Sequence, residues 1–546
     1  MGEEAKKKDR WWLLIFAAVV AFPFLGCFGL LEPDEGRFAQ IGREMMTGGN
    51  FLVPQLNGIE QFYKPPLVYW INAVGYRLLG ISEWTARLPS ALAFFGTIWL
   101  TGWMGWRLGG RKLGWAAALI LASMLEPYAL GRQITLDTTL TFWVTAALAC
   151  LVRVANGDQA KKSGFLFFLC MGIGFLAKGP MAWVVPMAAA LVWTLALRGD
   201  GQRLGLPWAK GALLMVGVSA SWFVAVCWKY PDLWKYFLGY ELVERFASTT
   251  HGRSKPFWFF FPILALGTIP WTGFLPGLAW AAWQKVRHRS LSPAQWALGA
   301  AVVVPFVVVS CSGSKLLTYV LPIYPSLALA LAFWLEKGKR RIWEKMGWGM
   351  AWGILLAFSP LLWAVQFFWS EATGISPSLP YLIGVPILVV GAGLVVWRMK
   401  EKALASVVGL ALVAIVVWHG ACLEMDRIND LLGRQASVRP LAQLVGKHQP
   451  ERLFIYRARA AGLLFAADRT VWINRTDADV VIEPSAEAKG RFFEKPEDLR
   501  KGLSQGQRVE GITLRHIFRE EFDPARWEVV GRSGEFLLIR AYGTGI

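Results

Sequence analysis

The stretch LEPDEGRFAQIGREMM, residues 31–46, directly follows the run WWLLIFAAVVAFPFLGCFGL at 11–30. Asp34, Glu35 and Arg37 therefore stand where an apolar segment long enough to span a bilayer has just ended. Acids in the first turn of a helix favour its macrodipole, so capping is the plain structural explanation. The rest of the chain decides whether capping suffices.

Of the 546 residues, 55% are hydrophobic, with 30 Trp and 34 Phe, and an ordinary soluble enzyme has no use for that composition. Apolar runs recur at 12–30, 88–106, 113–127, 138–152, 164–178, 181–197, 211–228, 258–282, 294–311, 316–335, 346–368, 380–397 and 403–421. The reading is an α-helical polytopic membrane protein with thirteen candidate spans. A net charge of +19 invites thoughts of nucleic acid, but the basic residues collect in alternate connections. These are KKKDR, RLGGRK, RVANGDQAKK, RGDGQR, QKVRHR, EKGKRRIWEK and RMKEK. Short loops rich in Lys and Arg stay in the cytoplasm. The N-terminus is therefore expected inside and the C-terminus outside, which in a bacterial inner membrane means the periplasm. The N-terminal run resembles a signal peptide and is read as an uncleaved first span.

Two units are expected. Residues 1–421 form the membrane domain, with outer loops at 31–87 and 229–257. Residues 422–546 are charged and carry the β-rich runs RLFIYR, TVWIN, DVVIEP, WEVV and EFLLIRA, which predicts a small periplasmic α/β domain. The six cysteines form no CxxC pair and read as small buried hydrophobes, with no disulfide framework or zinc site. No internal repeat is visible, which disfavours transporter folds built from repeats.

On this topology the unusual ionisable residues gather at the outer edge. After Asp34, Glu35 and Arg37 come Lys64 in FYKPPLVYW, Arg132 and Asp137 in GRQITLD, and Lys178 in AKGP. Glu241, Glu244, Arg245, His251, Arg253 and Lys255 occupy the second outer loop, and Lys315 opens KLLTYVLP. Each has a bland account, such as capping or a lysine snorkelling to headgroups. Together they converge from separate connections, and ionisable groups at a membrane boundary are functional candidates by default. Lysines and arginines suit a phosphate and stabilise charge growing on it as it departs. A carboxylate can orient or deprotonate an incoming hydroxyl. No P-loop and no strand–GxGxxG–helix unit is present, so the donor must arrive already activated. A sugar on a polyprenyl phosphate fits. A transporter would carry its ionisable groups near mid-membrane, and a scaffold would not need the cluster.

At these residues the sequence resembles the lipid A aminoarabinose transferases and their relatives, the protein O-mannosyltransferases, membrane glycosyltransferases of the GT-C fold. The matching stretches are PDEGRFAQIGREMMTGGNFLVPQLNG, FYKPPLVYW, ARLPSALA, GRQITLDTTL, FLAKGP, ELVERF and SGSKLLTYVLPIYPSLAL. The resemblance implies an outer-facing cavity and a polyprenyl-phosphate donor. It implies that Asp34 is the main catalytic acid and Asp137 a second important aspartate, with Glu35 beside them. It places Lys64, Lys178 and Lys315 near the donor phosphate, and Tyr319 lies in the same motif as Lys315. Arg132 and Arg245 join them as candidate substrate contacts. Aminoarabinose transferases usually carry an acid immediately before the lysine of the KPP motif, where this chain has Tyr63. That acid can help bind a divalent cation alongside a histidine corresponding to His251. Its replacement removes a ligand, and a carboxylate partner for an amino sugar, so a neutral hexose or pentose also fits. The expected function is inverting transfer of a sugar from polyprenyl phosphate to lipid A or another envelope acceptor, with protein O-mannosyl transfer as the alternative.

Overall fold

The computed structural model describes residues 3–198, 204–237, 239, 255–337, 342–373, 390, 403–425, 429–474, 481, 484–501, 503–504 and 506–542. The candidate span 380–397 lies outside them except for residue 390, as do Glu241, Glu244, Arg245, His251 and Arg253. The chain divides into two compact units. The first comprises residues Met1–Pro23, Ser90–Arg132 and Leu136–Ala421; the second comprises Phe24–Pro89, Gln133–Thr135 and Cys422–Ile546.

The elements run α1 (Glu3–Ala21), α2 (Asp34–Gly48), β1 (Gln55–Leu56), β2 (Ile59–Glu60), α3 (Leu67–Leu79) and α4 (Glu83–Gly109). Then come α5 (Arg111–Ser123), α6 (Leu125–Leu130), α7 (Leu136–Ala155), α8 (Ala160–Ala177), α9 (Met181–Arg198) and α10 (Trp208–Lys229). The later helices of the first unit include Pro293–Cys311, Tyr324–Lys337, Ile342–Thr373 and Ala403–Leu423.

The first unit is a helical membrane bundle. Among the described residues six helices are long and apolar enough to cross a bilayer. The pair Phe257–Gly267 and Trp271–Arg287, bent by 115°, makes a seventh if it is one span. Helices suit this setting because lipid offers no partner to a backbone amide or carbonyl. Threonines inside them turn their hydroxyls back on the helix: Thr97 donates to the Ala93 carbonyl, Thr101 to Thr97, Thr141 to Asp137 and Thr145 to Thr141, each at 2.7 Å. Small residues let the backbones approach. A Cβ on Gly105 of α4 would lie 2.7 Å from the Cα of Gly114 in α5. Ser123 holds two buried indoles, with Trp271 donating to its hydroxyl and Trp418 to its carbonyl, both at 2.9 Å. Three of the basic connections lie at one end of the bundle: Asp9 pairs with Arg111 at 2.7 Å, and Arg107 pairs with Asp158.

The second unit is built on the tail. Strands β3 (Arg452–Ile455), β4 (Trp472–Asn474), β5 (Phe492–Phe493), β6 (Arg508–Leu514), β7 (Glu528–Ser533) and β8 (Phe536–Tyr542) form one mixed sheet of order β5-β4-β3-β6-β8-β7. The first three neighbour pairs are parallel, with Phe454 opposite Trp472 and Arg452 opposite Val509. The β6–β8 and β8–β7 pairs are antiparallel. Phe454, Val509, Ile512, Leu538 and Ile539 are wholly buried in its core. Sequence alone assigned 31–87 to the membrane domain, whereas in the structure 24–89 packs with the tail. Asn57 donates to the Val471 carbonyl at 2.8 Å and accepts from the Val471 amide at 3.1 Å. Arg439 pairs with Glu83 at 2.6 Å, and Leu31 bridges to Ser437.

Gly36 shows how tight this packing is. A Cβ there would lie 2.3 Å from the backbone nitrogen of Gly462, which cannot rotate away. Gly36→Ala should therefore cost about 1–3 kcal/mol by overpacking. The check is thermal melting of the purified full-length chain. Gly217→Ala, with nothing within 4 Å of the added methyl, should melt like the wild type. Equal melting of Gly36→Ala and wild type would contradict the packing.

Candidate active site

Each unit carries one set of the expected residues. In the second unit, Pro33 starts α2 without any side-chain cap, so Asp34 and Glu35 occupy its first turn. Their fates differ. The Glu35 side chain is buried, and the guanidinium of Arg87 grips it from Nε at 2.9 Å and Nη2 at 2.8 Å. The amides of Ile134, at 2.8 Å, and Leu31, at 2.9 Å, fill the remaining positions on its two oxygens. The Asp34 side chain is 63% exposed and accepts from Arg37 Nη2 at 2.5 Å. Arg37 in turn stands over the Tyr63 ring at 4.7 Å and the Phe38 ring at 5.2 Å. Tyr63 and Lys64 lie half-buried on the loop between β2 and α3. Asp34, Arg37 and Tyr63 thus form one chain of contacts, with the carboxylate at its open end.

In the first unit the hairpin of α8 and α9 turns at Gly179, whose φ of +119° suits glycine, and Lys178 sits at the apex. The Lys178 ammonium donates to the Asp137 carboxylate, which is buried at the start of α7. It also stands 4.7 Å from the centre of the Tyr319 ring. Lys315 is buried and donates to the Ser312 carbonyl at 2.6 Å. The structure therefore brings Asp137, Lys178 and Tyr319 together at the end of α7 opposite Arg153 and the basic connection that follows it. An ammonium held between a carboxylate and an aromatic face can receive an anion without moving far.

Arg132, expected as a substrate contact, is held by protein groups. It is wholly buried and donates to the carbonyls of Val20 and Tyr128, with its guanidinium 3.7 Å from the Tyr128 ring centre. Its work is to tie α1 to α6. Sequence reasoning assigned no role to Arg87, although a base inside the apolar run ARLPSALA was the available signal. It also passed over Glu126, which accepts from the Tyr324 hydroxyl at 2.6 Å. Arg245 and His251 lie outside the described residues. Among the described residues no group of three or more His, Cys, Asp and Glu side chains is arranged to hold a metal ion.

Residues 10–237 match the family model for dolichyl-phosphate-mannose-protein mannosyltransferase. The undecaprenyl phosphate-α-4-amino-4-deoxy-L-arabinose arabinosyl transferase 1 of Sodalis glossinidius is 38% identical over 307 residues, 56% of this chain and 54% of that protein. The corresponding transferase of Aeromonas salmonicida is 35% identical over 353 residues, 63% of each chain. The chain thus spans less than two thirds of the length of the relatives it matches. Two crystal structures of ArnT from Cupriavidus metallidurans extend the likeness to nearly the full length. The apo state gives a TM-score of 0.78 over 98% of both chains, and the form bound to undecaprenyl phosphate gives 0.76 over 97% of both, each at 24% identity. The chain is similar in sequence to these transferases, and it shares the GT-C fold of the two ArnT structures. Both units of this GT-C chain, the membrane bundle and the α/β tail, fall within the matched length.

The Glu35–Arg87 pair holds this fold's acid-bearing turn. Arg87→Met should leave a buried carboxylate uncompensated and cost about 3–5 kcal/mol. Adding Glu35→Gln should recover part of that loss, because the stranded charge is gone. Denaturant titration of the full-length chain checks both, and a neutral Arg87→Met would contradict the clamp.

Proposed function

We propose that the chain is an inner-membrane GT-C glycosyltransferase. It moves a sugar from a polyprenyl monophosphate onto an outer-leaflet lipid of the lipid A kind, or another envelope acceptor. The acceptor oxygen attacks the anomeric carbon as the bond from that carbon to the phosphate oxygen breaks, with inversion. Asp34 takes the hydroxyl proton, and polyprenyl phosphate departs with its charge stabilised by lysines. A phosphate acceptor is already anionic and needs less of this help.

The observation that carries the reading is Lys178, an ammonium placed between the Asp137 carboxylate and the Tyr319 ring at the apex of an apolar hairpin. Buried ion pairs contribute little to stability on average, so an anion-binding task is the better account of this one. Lys315, of the same unit, is assigned to the same phosphate, and Lys64 and Arg245 are assigned to substrate binding. Glu35 and Arg132, whose described contacts are to protein groups, are assigned to positioning. The proposed topology has thirteen spans, a cytoplasmic N-terminus and 422–546 in the periplasm. The meeting of the basic connections at one end of the bundle supports it.

A second reading, protein O-mannosyl transfer, is favoured by the family model over 10–237 and by Tyr63 in the position of the usual acid. Mass spectrometry of envelope lipids, glycans and proteins, from cells with and without the gene, distinguishes the two. A gene-dependent sugar increment on a lipid supports the first, and one on protein the second. Asp34→Asn should lower transfer to a hydroxyl by about 100- to 10,000-fold while the protein still accumulates. No gene-dependent increment on any acceptor would overturn the function, and undiminished transfer by Asp34→Asn would overturn the role of Asp34.

A further inference from the structure

Glu32 stands two residues before Asp34 and has no place in the chemistry described so far. Its side chain is buried, at 3% exposure. Oε1 accepts from the amide of Gly462 at 2.6 Å, across 430 residues of sequence, whereas Oε2 is buried without a hydrogen-bond partner among the described residues. The fit is close. A Cβ on Gly462 would lie 2.4 Å from Oε1, and one on Gly36 would lie 2.7 Å from Oε1 and 2.3 Å from the Gly462 nitrogen. Further along α2, Arg43 donates to the Phe465 carbonyl at 2.8 Å and pairs with Asp468. The tail helix Gly462–Ala467 therefore meets α2 at two points, one at each end. The Asp34 carboxylate remains on the exposed side of the same element.

We propose that the C-terminal tail is a positioning element for Asp34, and that Glu32 and the Gly462 amide are the latch that sets the first turn of α2. This rests on the transferase reading for the role of Asp34, but the latch itself does not. A half-satisfied carboxyl is a costly way to join two elements, since an apolar contact would serve adhesion alone. It persists where the geometry of the joint matters.

Burial pushes the Glu32 carboxyl up to about 8. Glu35 and Asp34 add to that effect, while the Gly462 amide and the Arg37 guanidinium oppose it. The folded unit thus keeps a proton that a free carboxyl releases near 4.5. Its stabilising contribution is complete below that value and is lost as pH rises through about 8. Above that point an anion forms beside two other acids, and the latch opens.

The test is amide hydrogen exchange of the full-length chain in lipid nanodiscs from pH 6 to 9, with residues 34–48 referenced to those of α7. Wild-type protection of 34–48 should fall about tenfold between pH 7 and 9, following the ionised fraction. Glu32→Gln should stay protected and flat with pH. Gly462→Ala should be unprotected throughout, and Asp34→Asn, which removes one neighbouring charge, should still lose protection with rising pH, with its midpoint moved down. The alkaline decline of sugar transfer should likewise disappear in Glu32→Gln. A wild-type exchange profile in Glu32→Gln, or full protection in Gly462→Ala, would overturn the latch. If exchange behaves as expected but no sugar is transferred, the transferase reading fails and the latch stands.

Discussion

The ion pair between Arg87 and Glu35 is the constraint on which the acid-bearing region depends. A guanidinium offers five N–H donors. Arg87 directs them to both Glu35 oxygens and to the carbonyls of Leu25, Phe28 and Gly29. A buried pair of this kind contributes little net stability, because its desolvation cost is large. It contributes geometry. The chain around 25–35 has few regular backbone partners, and one side chain organises it.

This arrangement divides the work of two adjacent acids. Glu35 points into the protein and is saturated by four donors, which fix the turn that holds it. Asp34, one residue earlier, points outward and accepts from Arg37, which itself leans on Tyr63. The same division recurs in the membrane bundle. Arg132 is consumed by carbonyls, whereas Lys178 rests against a carboxylate and an aromatic face that an incoming anion can replace or join.

Much of the fold was legible because hydropathy reports burial in lipid directly. The AKGP hairpin appears as α8, a turn at Lys178–Gly179 and α9, and RLFIYR, TVWIN and EFLLIRA correspond to β3, β4 and β8. Strand β6, RVEGITL, escaped notice because Glu510 and Gly511 interrupt its apolar pattern. Gly511 is needed where the Phe454 ring crosses, 2.3 Å from where a Cβ would lie. The union of 24–89 with the tail was not legible either. Its contacts join residues more than 350 positions apart, such as Asn57 with Val471 and Arg439 with Glu83, and they are isolated polar contacts with no local sequence signal. Arg132 and Lys178 look alike in sequence, each a base beside an apolar run. Only the partners around them separate a structural cation from a candidate ligand.

The central claim is that the acids and lysines from separate connections serve chemistry on the outer face of the membrane. Side-specific cysteine labelling tests it most directly, in a chain whose six native cysteines are replaced. Single cysteines at positions 34, 315 and 158 would be challenged with a membrane-impermeant maleimide in intact spheroplasts. The account predicts labelling at 34 and 315 from outside and at 158 only after permeabilisation. Labelling of 34 and 315 from opposite faces would contradict it.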